Sequence, residues 1–342
     1  MKIDQKFSVE YAYGIHFTRD VFGECNPLLD EVLGRTSKVV AVLDSGVQAA
    51  QPLLAGLISR KLGGRPPLLV AGGETCKHGV GFARRLVRSL YEQGVDRHSY
   101  VLMIGGGALL DAAGFAASLV HRGIRQVRVP TTVLSQCDSG VGVKNGVNAF
   151  NSKNFLGTFT PPSAVIVDFG FLAGVSDRDW RSGIAEAFKV AIIRDAVFLE
   201  FLKRQAPALA LRDPEPMEQV IVRCAQLHAG HIAEGGDPFE FGSARPLDFG
   251  HWSAHRLEVE SRYRLNHGEA VAIGIALDLI IARNRGLIGG RECREVIDAL
   301  KSTGLPVWDP LLEPVRDLFS ALEDFRLHLG GELTLVMPQG VG

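Results

Sequence analysis

Five short apolar runs recur through the first half of the chain, and each one stops at a small or polar residue. The runs cover residues 39–43, 67–71, 100–104, 126–129 and 164–167. They are continuous rather than alternating, which is typical of strands that are buried on both faces of a parallel sheet. Amphipathic helical patterns fill the gaps, for example at residues 81–93 and 109–120. This alternation predicts an α/β domain with a parallel, Rossmann-like sheet.

The strand pattern fades from about Ser176 onward. Helical spacing follows at residues 181–193, 217–232, 252–259 and 269–284. The most apolar stretch, residues 270–282, contains Asp278 and is too short to span a bilayer, so we expect a buried core helix there. A chain of 342 residues is long enough for two domains. We therefore predict an α/β domain over residues 1–174 and an all-α domain over residues 175–342, with the functional site in the cleft between them.

The charge balance excludes several classes of partner. The chain has 37 basic and 38 acidic residues, a net charge of -1, which argues against a general nucleic-acid or membrane-surface binder. Its five cysteines include no C-x-x-C pair, so neither a disulfide framework nor a thiolate zinc site is indicated. The first residues form no apolar signal core. These features predict a cytoplasmic protein.

Two glycine-rich turns follow predicted strands. Gly105-Gly106-Gly107 precedes a helix that carries Asp111 one turn later. Glycines let backbone N–H groups approach a phosphate, and a helix N-terminus adds positive potential. The run is not the G-x-G-x-x-G fingerprint, and a simple tight turn explains it equally well. Residues 72–77 end another strand and could hold the other side of a bound cofactor.

Residues 138–154 are rich in glycine, lysine and asparagine and poor in apolar side chains. We expect a loop here. Lysines such as Lys144 and Lys153, together with several amides, suit the recognition of phosphate and hydroxyl groups. The alternative is a long solvated loop without a ligand.

A glutamate and three histidines lie in apolar helical segments of the second half. Glu186 and Lys189 are three residues apart on one helix face, and buried charge usually needs a partner or a metal. His251 and His255 are four apart, and His267 begins the next apolar helix. A glutamate with two histidines is a plausible metal set. By spacing alone, His251 and His255 could equally be the paired ligands, and isolated histidines are often ordinary core residues.

Taken in order, these motifs resemble the 3-dehydroquinate synthase family from about Asp44 to Pro338. The matching stretches are Gly105-Gly106-Gly107-x-x-x-Asp111-x-x-Gly114-Phe115, Arg122-Gly123, Val129-Pro130-Thr131-Thr132-x-Leu134-Ser135-Gln136-x-Asp138-Ser139, Lys144, Lys153-Asn154, Ala185-Glu186-x-x-Lys189, Gly250-His251 and His267-Gly268-Glu269-Ala270. The resemblance implies a dehydroquinate synthase-like fold, with an NAD-binding first domain and a helical metal- and substrate-binding second domain.

The resemblance also implies an activity. The enzyme would be an NAD- and zinc-dependent lyase, with another divalent metal such as Co²⁺ as an alternative, and a homodimer. It would convert a seven-carbon sugar 7-phosphate to a carbocycle through transient oxidation by NAD, β-elimination of phosphate, reduction and aldol closure.

Individual positions follow from the same resemblance. The implied NAD contacts are Asp44, Glu74, Lys77, Gly106, Gly107, Asp111, Thr131, Thr132 and Leu134, together with Lys144 and Lys153. The implied metal ligands are Glu186, His251 and His267, which makes His255 a residue of the catalytic site. The implied residues around the substrate and its phosphate are Arg122, Asp138, Lys144, Lys153, Asn154 and Lys189.

The chain departs from the family where the substrate carboxylate would bind. His228 replaces a lysine, Ala244 beside Arg245 replaces an arginine, Asp248 replaces an asparagine, and Arg326 stands near the place of a late lysine. An aspartate and a histidine make this corner less favourable to an anion, although Arg245 and Arg326 could bind a carboxylate from new directions.

The departures favour a variant substrate. Asp248 resembles the valiolone-type cyclases, which take sedoheptulose 7-phosphate, whereas the retained His255 resembles 3-dehydroquinate synthases. We favour sedoheptulose 7-phosphate. The alternatives are a true 3-dehydroquinate synthase that uses 3-deoxy-arabino-heptulosonate 7-phosphate, a metal-dependent polyol dehydrogenase of the glycerol type, and a relative that binds a ligand without turnover.

Overall fold

The first half of the chain alternates strands and helices. A computed structural model describes residues 2–34, 38–150, 152–235, 237–239, 246–313, 322–323, 325–326 and 331–340. The elements of the first half are, in chain order, β1 (Gly14–Thr18), α1 (Leu28–Leu33), β2 (Val39–Asp44), α2 (Ser45–Ala50), α3 (Leu54–Lys61), β3 (Leu68–Val70), α4 (Gly81–Glu92), β4 (Tyr100–Gly105), α5 (Gly107–Leu119), β5 (Arg125–Pro130), β6 (Lys144–Ala149), β7 (Ser152–Phe159) and β8 (Ala164–Asp168). The five predicted strands are all present, with bounds within two residues of the prediction.

Six of these strands form one parallel sheet in the order β1-β8-β5-β4-β2-β3. Leu43 pairs with Ile104, and Gly105 pairs with Pro130, so β2, β4 and β5 end at one edge. Every residue of β4 is buried, as expected for a strand covered by helices on both faces. The predicted Rossmann-like sheet is confirmed, and in open α/β sheets ligands commonly bind beyond the carboxyl ends of the strands, which here is this edge.

The sequence pattern missed β1. Its five residues are half-buried or exposed, and it pairs with β8 at the edge of the sheet. An edge strand is covered less than a central one, so Gly14–Thr18 carries no continuous apolar run.

The loop expected over residues 138–154 is wrong for most of its length. A π-helical turn, Ser135–Ser139, is followed by β6 and β7, which form an antiparallel hairpin. A Cβ on Gly157 would lie 2.8 Å from the carbonyl oxygen of Asn145. Glycine and asparagine normally disfavour strands, but here the glycines allow the two backbones to come close.

The second half is helical. Its helices are α6 (Asp177–Arg194), α7 (Ala196–Ala210), α8 (Pro214–Glu234), α9 (His251–Glu260), α10 (His267–Asn284) and α11 (Gly290–Ser302). Beyond Asp168 the described residues contain no strand, which confirms the helical second half. The expected core helix is α10, which is buried along most of residues 270–282. The division into domains at residues 174 and 175 stays a prediction.

The two halves share a core. One buried apolar cluster joins Val133 and Val167 of the first half to Ile184 and Phe188 of α6. A Cβ on Gly183 would lie 2.6 Å from the backbone nitrogen of Leu134, so α6 packs directly on the loop after β5. This contact brings the polar residues of α6 to the carboxyl edge of the sheet. None of the helices in the described ranges has the length and hydropathy that a transmembrane span requires.

Candidate active site

Close helix packing brings Glu186 and His267 together. A Cβ on Gly268 would lie only 2.0 Å from the carbonyl oxygen of Ser182, so the start of α10 rests directly on α6. The Ser182 hydroxyl accepts a hydrogen bond of 3.1 Å from the Gly268 backbone N–H. Asn266 and Glu269 form a capping box that begins α10 at His267. His267 therefore stands over the turn of α6 that carries Glu186.

His251 is positioned by the start of α9. Gly250 adopts φ +77°, and a Cβ on Gly274 would lie 2.0 Å from the Gly250 carbonyl oxygen. Glycine at both positions lets α9 begin in contact with α10. The buried carboxylate of Asp278 accepts hydrogen bonds from the Gly250 N–H at 2.9 Å and from Trp252 Nε1 at 2.7 Å.

Glu186, His251 and His267 form a group with metal-site geometry. Glu186 Oε1 lies 3.3 Å from His267 Nε2 and 3.7 Å from His251 Nε2. Zinc–ligand bonds of about 2.0–2.1 Å separate tetrahedral ligands by about 3.3 Å. Glu186 is 1% exposed, and its Oε1 receives no hydrogen bond of good geometry from the described residues. The donor set therefore fits zinc, with a fourth position left for a substrate oxygen.

A contact at Nδ1 orients each of the two imidazoles, those of His251 and His267. His251 Nδ1 lies 3.0 Å from the Phe249 carbonyl oxygen, and His267 Nδ1 lies 3.0 Å from Glu258 Oε2. When each Nδ1–H donates to its neighbour, each Nε2 keeps a lone pair towards Glu186. Such outer contacts commonly fix the orientation of metal-binding histidines.

His255 belongs to a different grouping. Its ring lies beside His251 and His267, with centroids 5.5 and 6.2 Å away. The two metal-compatible groups in the described residues are Glu186–His251–His267 and His255–Glu258–His267, so neither pairs His251 with His255. This geometry favours the ligand set that the resemblance implied over the spacing-based alternative. The ligand assignment itself stays a prediction.

The pKa values of the three side chains in this metal-compatible group are shifted in different directions. Burial would raise the pKa of Glu186, but the ammonium of Lys189 and a contact with His267 bring it to about 2. Burial would lower the pKa of His267, but Glu258 and Glu186 raise it to about 9. Burial and the charge of Lys189 lower the pKa of His251 to about 4. Glu186 is therefore ionised and His251 neutral, as metal ligands must be.

Sequence reasoning missed Glu258. It is 2% exposed and lies in α9, three residues after His255. Its Oε1 lies 2.6 Å from Lys153 Nζ, and its Oε2 contacts His267. The signal available in the sequence was a carboxylate one helical turn after a histidine already singled out.

Carboxylates surround Lys189 in the region that we call the substrate corner, which comprises Asp138, Lys189, His228 and Asp248. Lys189 Nζ lies 2.5 Å from Glu186 Oε2 and 4.0 Å from Asp138 Oδ2. His228 Nδ1 lies 2.6 Å from Asp138 Oδ1. Burial would raise the pKa of Asp138, but Lys189 and His228 hold it well below its usual value. Asp248 Oδ2 is buried and has no hydrogen-bond partner among the described residues.

The loops after β2, β3 and β4 meet at the carboxyl edge of the sheet, and we call this region, which includes Asp44, Gly72 and Gly107, the cradle. A Cβ on Gly72 would lie 1.8 Å from Asp44 Oδ2, and one on Gly107 would lie 2.3 Å from Ser139 Oγ. Lys77 Nζ lies 2.6 Å from Asp111 Oδ2 beside the start of α5. A glycine-lined helix N-terminus suits the phosphates of a dinucleotide, so this cradle fits the predicted NAD.

The other predicted cofactor residues border the same cradle. Asn148 Nδ2 lies 3.4 Å from Glu74 Oε2, which connects the hairpin to the turn after β3. Thr131 Oγ1 is buried and has no hydrogen-bond partner within the described ranges. Thr132 caps the turn that contains Leu134, through a 2.9 Å contact with Ser135 Oγ. Gly106 precedes α5.

The hairpin carries Lys144, Lys153 and Asn154. Lys144 is exposed at the start of β6, and Lys153 reaches Glu258 of α9. The Asn154 backbone N–H donates to Asn148 Oδ1 at 2.9 Å, and Asn154 has φ +51°. Their predicted contacts with substrate phosphate stay predictions.

Arg122, which the resemblance places near the substrate, lies away from the cradle. Arg122 is exposed and comes just before β5, whereas the cradle lies beyond Pro130 at the other end of that strand. Arg326 also departs from expectation, because its guanidinium contacts Glu323 at 2.6 Å and the Gly331 carbonyl oxygen at 2.6 Å. Ala244 and Arg245 lie outside the described residues.

Comparison with known proteins gives matches along most of the chain. The family model described as 3-dehydroquinate synthase N-terminal matches residues 67–182, and the one described as 3-dehydroquinate synthase C-terminal matches residues 183–324. The chain is 37% identical to the 2-epi-5-epi-valiolone synthase of Streptomyces glaucescens, over 96% of this chain and 85% of the relative. It is 32% identical to the 3-dehydroquinate synthase of Alkaliphilus metalliredigens, over 97% and 91%.

Solved structures give the same result for the fold. The 2-epi-5-epi-valiolone synthase of Streptomyces hygroscopicus subsp. jinggangensis 5008, with NAD⁺ and Zn²⁺ bound, matches with a TM-score of 0.90 and 31% identity, over 100% of this chain and 93% of that one. A 2-deoxy-scyllo-inosose synthase matches with a TM-score of 0.81 at 24% identity, over 96% of this chain and 89% of that one, which shows the shared fold. Together with the two family models and the curated relatives, these matches show that the chain belongs to the 3-dehydroquinate synthase family.

Proposed function

We propose that this chain is a sugar-phosphate cyclase that converts sedoheptulose 7-phosphate to a carbocycle with loss of phosphate. NAD and a divalent metal, with zinc expected, would serve as cofactors. The metal-compatible group and the glycine cradle support the cofactors. The 37% identity to a 2-epi-5-epi-valiolone synthase supports a cyclase of the valiolone type.

The choice of substrate rests on two carboxylates near Lys189: Asp138, which pairs with His228, and Asp248, whose charge also acts on Lys189. His228 Nδ1 lies 2.6 Å from Asp138 Oδ1, and Asp248 presents a buried oxygen that receives no hydrogen bond from the residues that the structure describes. A substrate carboxylate placed here would meet like charges. A hydroxyl group could instead donate to Asp248. Arg326 does not relieve this repulsion, because Glu323 and Gly331 engage its guanidinium.

The cofactors and the chain would divide the chemistry. A metal held by Glu186, His251 and His267 would polarise substrate oxygens, and NAD would supply reversible hydride transfer. Lys189, held by Glu186 and Asp138, keeps its proton and can donate to a substrate hydroxyl. Burial and Lys153 hold the pKa of His255 well below its usual value, so its neutral ring can accept a proton.

The hairpin suits the phosphate end of the substrate. Lys153 lies near the turn of the hairpin with its ammonium against Glu258, whereas Lys144 lies at the open end opposite Phe159. The positive charge of either lysine would stabilise a departing phosphate that it reaches. Arg122 cannot take part from the same chain, because it lies at the opposite end of β5. A contact from Arg122 therefore requires a second copy, which the predicted homodimer would supply.

Phosphate release from two sugars tests this proposal. The protein would be supplied with NAD and zinc, and then with sedoheptulose 7-phosphate or 3-deoxy-arabino-heptulosonate 7-phosphate in parallel. We expect release from the first sugar, little from the second, and none from either with Glu186→Gln. Rapid release from the second sugar alone would identify a true 3-dehydroquinate synthase. Net NADH formation from a simple alcohol would identify a polyol dehydrogenase.

A further inference from the structure

Arg128 is a fully buried arginine in β5. Only 1% of its surface is exposed. Arginine is rarely buried without a partner, because its charge must be desolvated. Burial lowers the pKa of Arg128 to about 10, which leaves the guanidinium protonated at neutral pH. Its surroundings must therefore offer acceptors.

Among the described residues, the hydrogen-bond acceptors of Arg128 all belong to one neighbouring segment, residues 140–145. One terminal nitrogen donates to the carbonyl oxygen of Gly142 at 2.5 Å, and the other donates to Asn145 Oδ1 at 2.8 Å. Longer contacts of 3.4 Å reach the carbonyl oxygens of Gly140 and Lys144. The guanidinium thus fastens this segment to the central sheet.

The fastened segment joins two residues that are predicted to contact the substrate. Asp138 lies just before it, and Lys144 lies within it. Gly142 passes close to α8, where an added Cβ would lie 3.2 Å from His228 Nε2. A shift of this backbone would therefore disturb the meeting of Asp138 with His228.

We propose that Arg128 is a positioning residue of the active site, which holds residues 140–145 so that Asp138 and Lys144 keep their places around the sugar phosphate. The inference rests on the proposed function for the roles of Asp138 and Lys144. Both terminal nitrogens of the Arg128 guanidinium donate to the segment, so we assign Arg128 no contact with the substrate.

The guanidinium shape is required for this role. Two nitrogens on one rigid plane reach Gly142 and Asn145 at the same time, whereas a lysine has one nitrogen. Arg128→Lys therefore keeps the charge and part of the contact. Arg128→Met keeps much of the volume but leaves buried carbonyl groups without donors.

Arg125 provides a matched control on the same strand. Its guanidinium is exposed and contacts Tyr100, with a 3.3 Å hydrogen bond to the hydroxyl and a stacked position over the ring. Arg125→Met removes an arginine from β5 without removing a contact to the segment.

Two measurements on the full chain test the proposal. Hydrogen–deuterium exchange would be compared between the segment and α10, which lies far from Arg128 in sequence. In Arg128→Met we expect the segment to exchange at least about tenfold faster while α10 keeps its protection. We expect kcat/KM for sedoheptulose 7-phosphate to fall by on the order of 10²-fold, with a smaller fall in Arg128→Lys and no change in Arg125→Met.

Three results would overturn the inference. The first is a segment that exchanges at the parent rate in both Arg128 variants. The second is a loosened segment with kcat/KM within about twofold of the parent. The third is equal loosening of α10, which would make Arg128 a residue of general stability. If Arg128→Met does not fold, Arg128→Lys decides. If the parent releases no phosphate from this sugar, the proposed function fails, and the exchange measurement alone decides whether Arg128 holds the segment.

Discussion

Lys153 Nζ lies 2.6 Å from Glu258 Oε1, so the hairpin of the first half is joined by an ion pair to α9 of the helical half. The other oxygen of the same carboxylate lies 3.0 Å from Nδ1 of His267. Glu258 therefore connects a predicted phosphate-binding lysine to a predicted metal ligand. A change at Glu258 should affect both.

Glu258→Gln is expected to weaken metal binding. The amide oxygen can still accept from His267, but the negative charge that favours a metal cation is lost. Removal of such outer contacts typically lowers metal affinity by about 10–100-fold. Competition with a chromophoric chelator measures the zinc affinity directly. Glu260→Gln is the control, because Glu260 lies on the same helix and pairs with Arg256. Equal zinc affinity in Glu258→Gln and the parent would refute the assigned role.

Metal affinity should rise with pH up to about pH 9. Without metal, Glu258 and Glu186 raise the pKa of His267 to about 9, so His267 carries a proton at neutral pH. A metal must displace that proton, and lower pH therefore weakens metal binding. Calorimetry in buffers with different ionisation enthalpies should show that zinc binding at neutral pH releases a proton. Zinc binding without proton release would contradict the protonated state of His267.

A double exchange in the substrate corner should alter substrate preference. His228→Lys with Asp248→Asn removes one negative charge and adds an ammonium group near Asp138. We expect the ratio of kcat/KM for the carboxylate sugar over sedoheptulose 7-phosphate to rise at least about tenfold, which corresponds to about 1.4 kcal/mol. Gln226→Lys, an exposed position on α8, is the control for added charge. An unchanged ratio would show that this corner does not select the substrate.

Asp278 should make stability depend on pH. Burial raises the pKa of Asp278 from 3.8 to about 7, although hydrogen bonds from Trp252 and Gly250 oppose the shift. The folded state therefore favours the protonated acid, and this group's contribution to stability is lost as pH rises from about 4 to 7. Asp278→Asn should lack that loss. Urea unfolding of metal-free protein at pH 5 and pH 8 should show a difference between parent and variant of about 2–3 kcal/mol. Parallel pH dependence in both proteins would contradict the raised pKa.

The central strands could be predicted from the sequence because a continuous apolar run indicates a strand that is buried on both faces. The sequence also predicted α6, α9 and α10, whose apolar spacing marks the helical core. The sequence pattern missed the hairpin because glycine has a low strand propensity. Here Gly146 and Gly157 allow the two strands to approach closely, which a propensity scale does not take into account.

The candidate site was predictable in its residue types but not in its contacts. Glu186, His251 and His267 stood out as charged or imidazole side chains in apolar helices. The pairing of His228 with Asp138, and the fastening of residues 140–145 by Arg128, join positions that are distant along the chain. Residue spacing cannot reveal such contacts, because they depend on how α8 and β5 pack against the turn after Pro130.

The reaction balance with sedoheptulose 7-phosphate is the decisive test of the proposed cyclase activity. Protein loaded with NAD and zinc would be followed by phosphate release and by the absorbance of reduced nicotinamide, with NMR identification of the product. We predict one phosphate released for each sugar consumed, a carbocyclic product and no net accumulation of NADH. Net NADH formation without phosphate release would contradict it.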